Sequence, residues 1–215
     1  MLGNVIDYLY TSHIQITTDN VQDLLIASDF FLLKCLVHAC SDFLKRQLHT
    51  ENCVEIHRFA EERGCTELGK AALRFVLRNF TDVSRTDGFL QCDADLLKIY
   101  LCQDNLQIAS EKALYSMLQR WVDADFTQRS RRFPELLRLV RLVYCPFVSL
   151  TEIQREPAIQ SSRECLDVVK LARDCMKDVQ VLPQEWTRPR KSTNLANVVV
   201  VMGGVQADRT AHKSR

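Results

Sequence analysis

The sequence predicts a mostly α-helical protein, and its apolar pattern and composition support that prediction. Apolar residues recur three or four apart through most of the chain, which is the spacing of one-faced helices. A composition that is 47% hydrophobic and 26% charged is ordinary for a folded chain of 215 residues. The clearest strand pattern is Asn197–Gly204, where a run of valines ends in a glycine pair. We therefore expect helices up to about Asp178, with strands confined to short runs.

The N-terminal part is predicted to contain helices on either side of one short strand. Residues 4–10 carry an apolar helical stripe, and His13–Thr17 alternates polar and apolar residues as a half-buried strand does. Asn20 is the predicted N-cap of the next helix. The stripe that runs from Leu33 to Leu44 predicts a longer helix after it.

The stretch Asn52–Phe80 predicts a helical hairpin. Its two apolar stripes are separated at Gly64, which is expected to adopt the left-handed conformation that closes a helix. Thr66 is the predicted N-cap of the second helix. Because each helix has one apolar face, the hairpin needs partners to cover it.

The following segment predicts further helices as far as residue 178. Weaker helices are expected at Asp87–Gln91 and Ala94–Cys102, and stronger apolar stripes come later. The predicted N-caps of those later helices are Ser110, Ser149 and either Ser161 or Ser162.

Residues 180–195 are predicted to form an irregular linker, because prolines recur there and push the residues before them toward extended geometry. The basic residues Arg188, Arg190 and Lys191 could be a nuclear import element or a phosphate contact. The simpler interpretation, which we favour, is that they belong to a solvated linker. Trp186 is interpreted as a cover for the last helix, the alternative being an anchor into a further domain.

Charge and hydropathy narrow the possible classes of protein. A net charge of +1 gives no basic footprint for nucleic acid. The chain has no run of about eighteen uncharged apolar residues, as a membrane span requires, and its first residues lack the basic region of a signal peptide. We expect a cytoplasmic protein, with the nucleus as the alternative, and no nucleic-acid or membrane partner.

No motif in the sequence predicts catalysis. It lacks a phosphate-binding loop, an H-E-x-x-H motif and a nucleophile signature. The nine cysteines include no C-x-x-C pair and are interpreted mostly as core thiols. Cys53 with His57, and Cys35 with His38, have helical spacing, but two ligands do not make a structural zinc site. We expect no catalytic residue, no cofactor, no metal and no enzymatic activity.

The hairpin resembles the start of the BACK domain of BTB-BACK-Kelch proteins, where a helix that begins at Asn-Cys leads through Phe-Ala-Glu to a second helix ending near Asn-Phe. The alternative is an unrelated helical repeat protein, although no other segment repeats this pattern. The matching positions are Asn52, Cys53, Phe59, Ala60, Glu61, Cys65, Leu68, Phe75 and Phe80.

Segments on both sides of the hairpin continue the resemblance. Those before it, Val5–Thr11, Ile14–Ile16, Asn20–Leu25 and Asp42–Leu44, are similar to the C-terminal part of a BTB domain. Those after it that fit the BACK pattern are Glu111, Arg120–Val122 and Phe133–Leu137, and Gly203–Gly204 resembles the end of the first Kelch strand.

The resemblance implies four regions. They are the C-terminal part of a BTB domain (1–49), an all-helical BACK domain (50–179), the irregular linker (180–195), and the start of a truncated Kelch repeat with a disordered tail (196–215). The fold class is therefore mostly α, with a partial BTB element, a BACK domain and one orphan Kelch β-strand.

The resemblance also implies a function. Relatives act as substrate-specific adaptors of a cullin-3 RING E3 ubiquitin ligase complex: the BTB domain dimerises and docks cullin-3, and Kelch loops capture the protein that is ubiquitinated and degraded by the proteasome. Such an adaptor works by positioning, and catalysis resides in its partners. Because the match lacks the BTB start and the propeller, we expect weakened cullin-3 binding, no family-type homodimer and no Kelch-mediated substrate capture.

The resemblance designates candidate contacts with cullin-3. In the family, the Y-T-G turn contributes to the cullin-3 surface, which makes Tyr10 a candidate; the alternative is that Tyr10 covers the BTB core. Ser12 stands where the family has glycine, so a side chain has to fit in that turn. The opening BACK hairpin forms a groove that extends the contact in the family, which makes Val54, Ile56 and Phe59 candidates for its lining.

Two other functions are implied by relatives. Some Kelch proteins bind actin, which would make this chain a cytoskeleton-associated interaction protein. Others include an electrophile sensor, for which Cys65 is the candidate reactive thiol. A helix N-terminus lowers a thiol pKa, and Arg63 would add to that effect. The alternative for Cys65 is a simple packing or loop cysteine.

Overall fold

The computed structural model describes residues 2–177, 183 and 186–192, and helices are the regular structure within them, with no strand in that part of the chain. The mostly α prediction is confirmed, and the predicted Kelch strand lies outside the described residues. The helices are α1 (Leu2–Thr11), α2 (Val21–Phe30), α3 (Lys34–Arg46), α4 (Cys53–Glu62), α5 (Thr66–Arg78), α6 (Phe80–Val83), α7 (Asp87–Leu90), α8 (Ala94–Leu101), α9 (Glu111–Ala124), α10 (Phe126–Arg129), α11 (Phe133–Leu139), a 3-10 turn (Leu142–Tyr144), α12 (Phe147–Arg155), α13 (Pro157–Gln160) and α14 (Arg163–Lys177).

The hairpin of α4 and α5 lies between two hydrophobic cores. One face of the hairpin joins the N-terminal core with α1, α2 and α3, and it contributes Ile56, Ala60, Leu68 and Ala72. The other face joins the larger C-terminal core, to which it contributes Cys53, Val54, Val76 and Leu77. The partners that the hairpin was predicted to need are therefore found on both sides of it.

The break in the hairpin is a Schellman motif. Gly64 has φ +66° and donates its N–H to Glu61 O at 3.2 Å, while the Cys65 N–H bonds to Ala60 O at 2.9 Å. The left-handed glycine predicted here is confirmed. The predicted Thr66 cap is wrong, because the Thr66 hydroxyl donates back to Gly64 O at 3.4 Å.

Two predictions for the N-terminal segment are also wrong. His13–Thr17 is irregular, since a strand needs a hydrogen-bonded neighbour and the described residues provide none, although Ile14 and Ile16 still pack on the N-terminal core. Asn20 does not cap α2 with its side chain: its Oδ1 accepts from the Thr17 N–H at 2.8 Å. The preceding turn has used the group that the helix would have needed.

The later caps follow the sequence in part. The Ser110 side chain accepts a first-turn N–H of α9, and the Ser162 hydroxyl accepts the Cys165 N–H at 3.3 Å, as predicted. Ser149 lies inside α12, which Pro146 precedes, so its predicted capping role is wrong. Pro146 occupies the N-cap position of that helix, and its side chain has no capping acceptor.

Residues 186–192, here called the docked segment, pack on the C-terminal core. Trp186 lies beside Val168 and Leu171 of α14 and is buried, which confirms its interpretation as a cover for the last helix. The solvated linker expected at Arg190 is wrong, because that residue is buried. Among the described residues, no helix combines the length and the apolar character needed to span a bilayer.

Candidate partner-binding site

A groove of about 330 Å³ opens where the N-terminal core meets the hairpin, and we call it the junction groove. The turn between α2 and α3 forms one side, α3 forms the floor, and the start of α5 forms the other side. Its lining residues are Asp29, Leu32, Lys34, Val37, His38, Ser41, Lys45, Cys65, Thr66, Glu67 and Leu68. Two helix-terminating turns thus border the same groove.

Leu32 is the most unusual residue of the junction groove. It ends α2 in a Schellman motif, with the Leu32 N–H on Asp29 O at 3.0 Å and the Leu33 N–H on Ser28 O at 2.8 Å. Its φ is +57°, a conformation that glycine adopts readily and a leucine adopts at a cost. Its side chain is nevertheless 80% exposed. A strained backbone that displays a large apolar side chain to solvent makes Leu32 a candidate functional residue.

Phe30 extends this apolar surface on the same turn. Its side chain is 81% exposed, and its ring meets the Phe31 ring edge-on with centroids 5.2 Å apart. Large apolar side chains that cluster on a surface mark protein interaction sites. The turn therefore presents an aromatic and aliphatic surface beside the junction groove.

The groove carries charges of both signs. Lys34 and Lys45 stand against Asp29 and Glu67 in its lining. The Lys45 ammonium donates to Asp42 Oδ1 at 3.1 Å, and that hydrogen bond is the main reason why the pKa of the half-buried Asp42 carboxyl is lowered. Mixed charges around an apolar floor fix the register of a bound partner more than they add affinity.

Tyr10 lies at the end of α1 and is 88% exposed. Within the described residues, Tyr10 therefore does not cover the core. The turn after it is closed by Ser12, which has φ +55° and donates its N–H to Tyr8 O at 2.8 Å. Ser12 therefore holds the left-handed conformation that closes this turn, although it is not a glycine. The cullin contact assigned to Tyr10 stays a prediction.

The other predicted contacts differ in their access to solvent. Val54 and Ile56 are each 4% exposed and fill the C-terminal and N-terminal cores, respectively, so their side chains do not line an open groove. Phe59 is half-buried, with the Arg63 guanidinium 6.0 Å from its ring centroid. The groove is lined instead by α3 and the start of α5, which sequence reasoning missed. The sequence feature that could have indicated this site is the Phe-Phe-Leu-Leu run at the end of α2.

Cys65 lies in the junction groove just before α5, and it is half-buried. Burial raises the pKa of its thiol, the Asp29 carboxylate raises it further, and Arg63 only partly opposes them. The lowered pKa expected from the helix N-terminus and Arg63 is therefore wrong. The thiol is less ionised at neutral pH than an ordinary cysteine.

The raised pKa of Cys65 leads to a testable prediction about the reactivity of its thiol. In the native chain at neutral pH, iodoacetamide should alkylate the exposed Cys35 and Cys102 before Cys65, because attack requires an accessible thiolate. Peptide mass spectrometry over a time course measures the order. Alkylation in urea is the control, and faster labelling of Cys65 than of both exposed cysteines in the native chain would contradict the prediction.

His57 is buried rather than at the helix edge, and it has a specific partner. Its Nδ1 lies 2.9 Å from the Tyr100 hydroxyl, and its Nε2 is 3.8 Å from Glu61 Oε1. Burial lowers the pKa of His57 despite that carboxylate, so the ring is held neutral. In the part of the chain that the structure describes, no three His, Cys, Asp or Glu residues are grouped to hold a metal ion.

Two parts of this helical chain match the models of two domain families. Residues 1–48 match the family model for the BTB/POZ domain, and residues 53–155 match the model described as BTB And C-terminal Kelch. The chain belongs to the BTB-BACK-Kelch family, as its sequence pattern predicted.

Similar proteins carry Kelch-like names. Kelch-like protein 21 of Danio rerio is 36% identical over 212 residues, covering 97% of this chain and 35% of the relative. Kelch-like protein 24 of Homo sapiens is 36% identical over 202 residues, which cover 94% of this chain and 34% of the relative. Kelch-like protein 21 of Homo sapiens is 34% identical over 215 residues, which cover 97% of this chain and 36% of the relative. The chain spans about a third of the length of these relatives.

Proposed function

We propose that this chain is the cullin-binding part of an adaptor, which docks cullin-3 with Tyr10 and the junction groove and has no catalytic activity of its own. Membership of the BTB-BACK-Kelch family supports this role. The observation that carries it is Leu32, an exposed side chain held in a left-handed turn at the edge of the groove.

The chemistry of the groove suits a helical or extended apolar segment. Val37 and Leu32 offer apolar contact, while charges of both signs in the lining orient the segment. Leu32 and Tyr10 supply large side chains at rigid positions, as interface hot spots do. In a full-length relative, such a contact would raise the effective concentration of a captured substrate near the ubiquitin-conjugating enzyme.

The test is a binding measurement with the purified chain and the N-terminal domain of cullin-3. Leu32→Gly should weaken binding by about tenfold while leaving thermal stability unchanged or higher, because glycine relieves the strain and removes the contact. Tyr10→Ala should weaken binding by a similar factor, since its side chain is exposed. Isothermal titration calorimetry measures the first effect and differential scanning calorimetry the second.

Val148→Ala is the matched control, because it removes an apolar side chain that is 68% exposed on α12. It should leave cullin-3 binding unchanged. If wild-type chain shows no binding, or if Leu32→Gly and Tyr10→Ala bind as well as wild type, the proposal is wrong. Co-sedimentation of the chain with actin filaments, in the absence of cullin-3 binding, would favour the cytoskeletal alternative.

A further inference from the structure

The docked segment is held by a buried ion pair between distant parts of the sequence. Arg190 Nε lies 2.9 Å from Glu111 Oε1, and the two side chains are 0% and 1% exposed. The other guanidinium nitrogens of Arg190 donate to Gln103 O at 2.6 Å and Leu139 O at 2.9 Å. One side chain therefore ties the segment to α9, to the loop after α8 and to the end of α11.

The Glu111 carboxylate also binds the backbone of a second arginine, Arg141. Its Oε2 accepts the backbone N–H of Arg141 at 3.0 Å. The Arg141 guanidinium donates to Arg188 O at 2.7 Å and pairs with Asp104, whose backbone O accepts the Lys191 N–H at 3.0 Å. Each of these groups contacts both the helical core and the docked segment.

Both ends of the docked segment carry further anchors. At one end, the Trp186 indole Nε1 donates to Arg138 O at 2.8 Å. At the other, the Ser192 hydroxyl donates to Leu106 O at 2.5 Å and accepts the Ile108 N–H at 3.3 Å. The bonds fix the segment along its length rather than at one point.

The burial of the charges makes this attachment cooperative. Taking Arg190 away would leave the Glu111 carboxylate without its charged partner in a dry site, which is far more costly than losing an exposed ion pair. Hydrogen bonds that share members also support one another. Shared partners of this kind favour docking or release of the segment as one unit.

We propose that Glu111 and Arg190 are positioning residues, which lock residues 186–192 onto the BACK core so that the chain leaves the helical module at Ser192 in a fixed place and direction. In an adaptor, this docking would keep a constant orientation between the cullin contact and the part of the chain after Ser192. That benefit rests on the proposed function. The docking itself does not.

Native-state trypsin digestion of the whole 215-residue chain tests the docking, because cleavage after residues 190 and 191 requires the segment to leave its site. Arg190→Lys keeps a trypsin site but loses the planar fork that reaches Glu111 and two carbonyls. Cleavage there should become at least about tenfold faster. Glu111→Gln should give the same direction of change. Lys191→Arg is the matched control, since its side chain is exposed, and it should not change the rate.

Hydrogen exchange separates positioning from general stability. Exchange of the Lys191 amide, which is bonded to Asp104 O, should rise in Arg190→Lys while α9 amides keep wild-type rates. Equal cleavage rates in Arg190→Lys, Glu111→Gln and wild type would overturn the proposal, as would an exchange increase that spreads equally through α9. Loss of cullin-3 binding would leave both readouts unaffected, so the two proposals fail separately.

Discussion

Trp121→Ala is expected to lower the free energy of unfolding by about 3–5 kcal/mol, the range for removing a large aromatic side chain from a core. Trp121 is 1% exposed in the C-terminal core, and its indole Nε1 donates to Cys92 O at 2.8 Å. Alanine would leave both a cavity and a buried carbonyl without its donor.

Arg129 adds to this expected loss. Its guanidinium lies 4.4 Å from the Trp121 ring centroid and donates to Trp121 O and Leu90 O, each at 2.6 Å. The tryptophan ring thus supports the link between α9, α10 and the end of α7. Removing the ring removes a cation–π contact as well as apolar packing.

Urea denaturation followed by circular dichroism measures the effect of Trp121→Ala. The control is Phe126→Ala, which removes another aromatic side chain that is 46% exposed, and its loss should be below about 1 kcal/mol. If Trp121→Ala cost no more than that control, the ring would not have the central place in the core assigned to it.

Tyr100→Phe is expected to lower the free energy of unfolding by about 1–3 kcal/mol, although it removes only one oxygen. Tyr100 is fully buried, and burial raises the pKa of its hydroxyl, which therefore stays protonated. Glu61 near Nε2 of His57 favours the proton on that nitrogen, so Nδ1 accepts from the hydroxyl. Phenylalanine would leave this buried acceptor without a partner.

A double-mutant cycle with His57→Phe tests the pairing. If the cost arises from an unpaired polar group, removing both partners should be less harmful than the sum of the two single changes. Chemical denaturation of wild type, both single variants and the double variant measures the coupling. Tyr10→Phe is the control with an exposed hydroxyl and should be neutral. Additive losses would show that the two side chains do not act as a pair.

The junction groove was predictable only in part. Tyr10 was identified through its place in the family pattern, and the structure leaves it exposed. Val54 and Ile56 were chosen for their apolar character, but a side chain in either core has the same character as one in a groove. Leu32 was not identified, because a left-handed leucine looks in the sequence like any other apolar residue at a helix end.

The features that the sequence established by itself depend on interactions between residues that are close together in the chain. Helical periodicity, the glycine at position 64 and the serine at position 110 act within a few residues, so the mostly α fold and the hairpin at the centre of the chain followed from them. The family pattern added the BTB and BACK assignment, because it records a spacing that chance helices do not reproduce.

Only the tertiary structure decided where the charges and the polar side chains went. Arg190 looks like part of a solvated basic run, yet it pairs with Glu111 in the core; Asn20 looks like a cap, yet it serves the preceding turn. Both outcomes depend on groups that fold into contact with them. The burial of a charge depends on a partner that is remote in sequence, and periodicity carries no information about that partner.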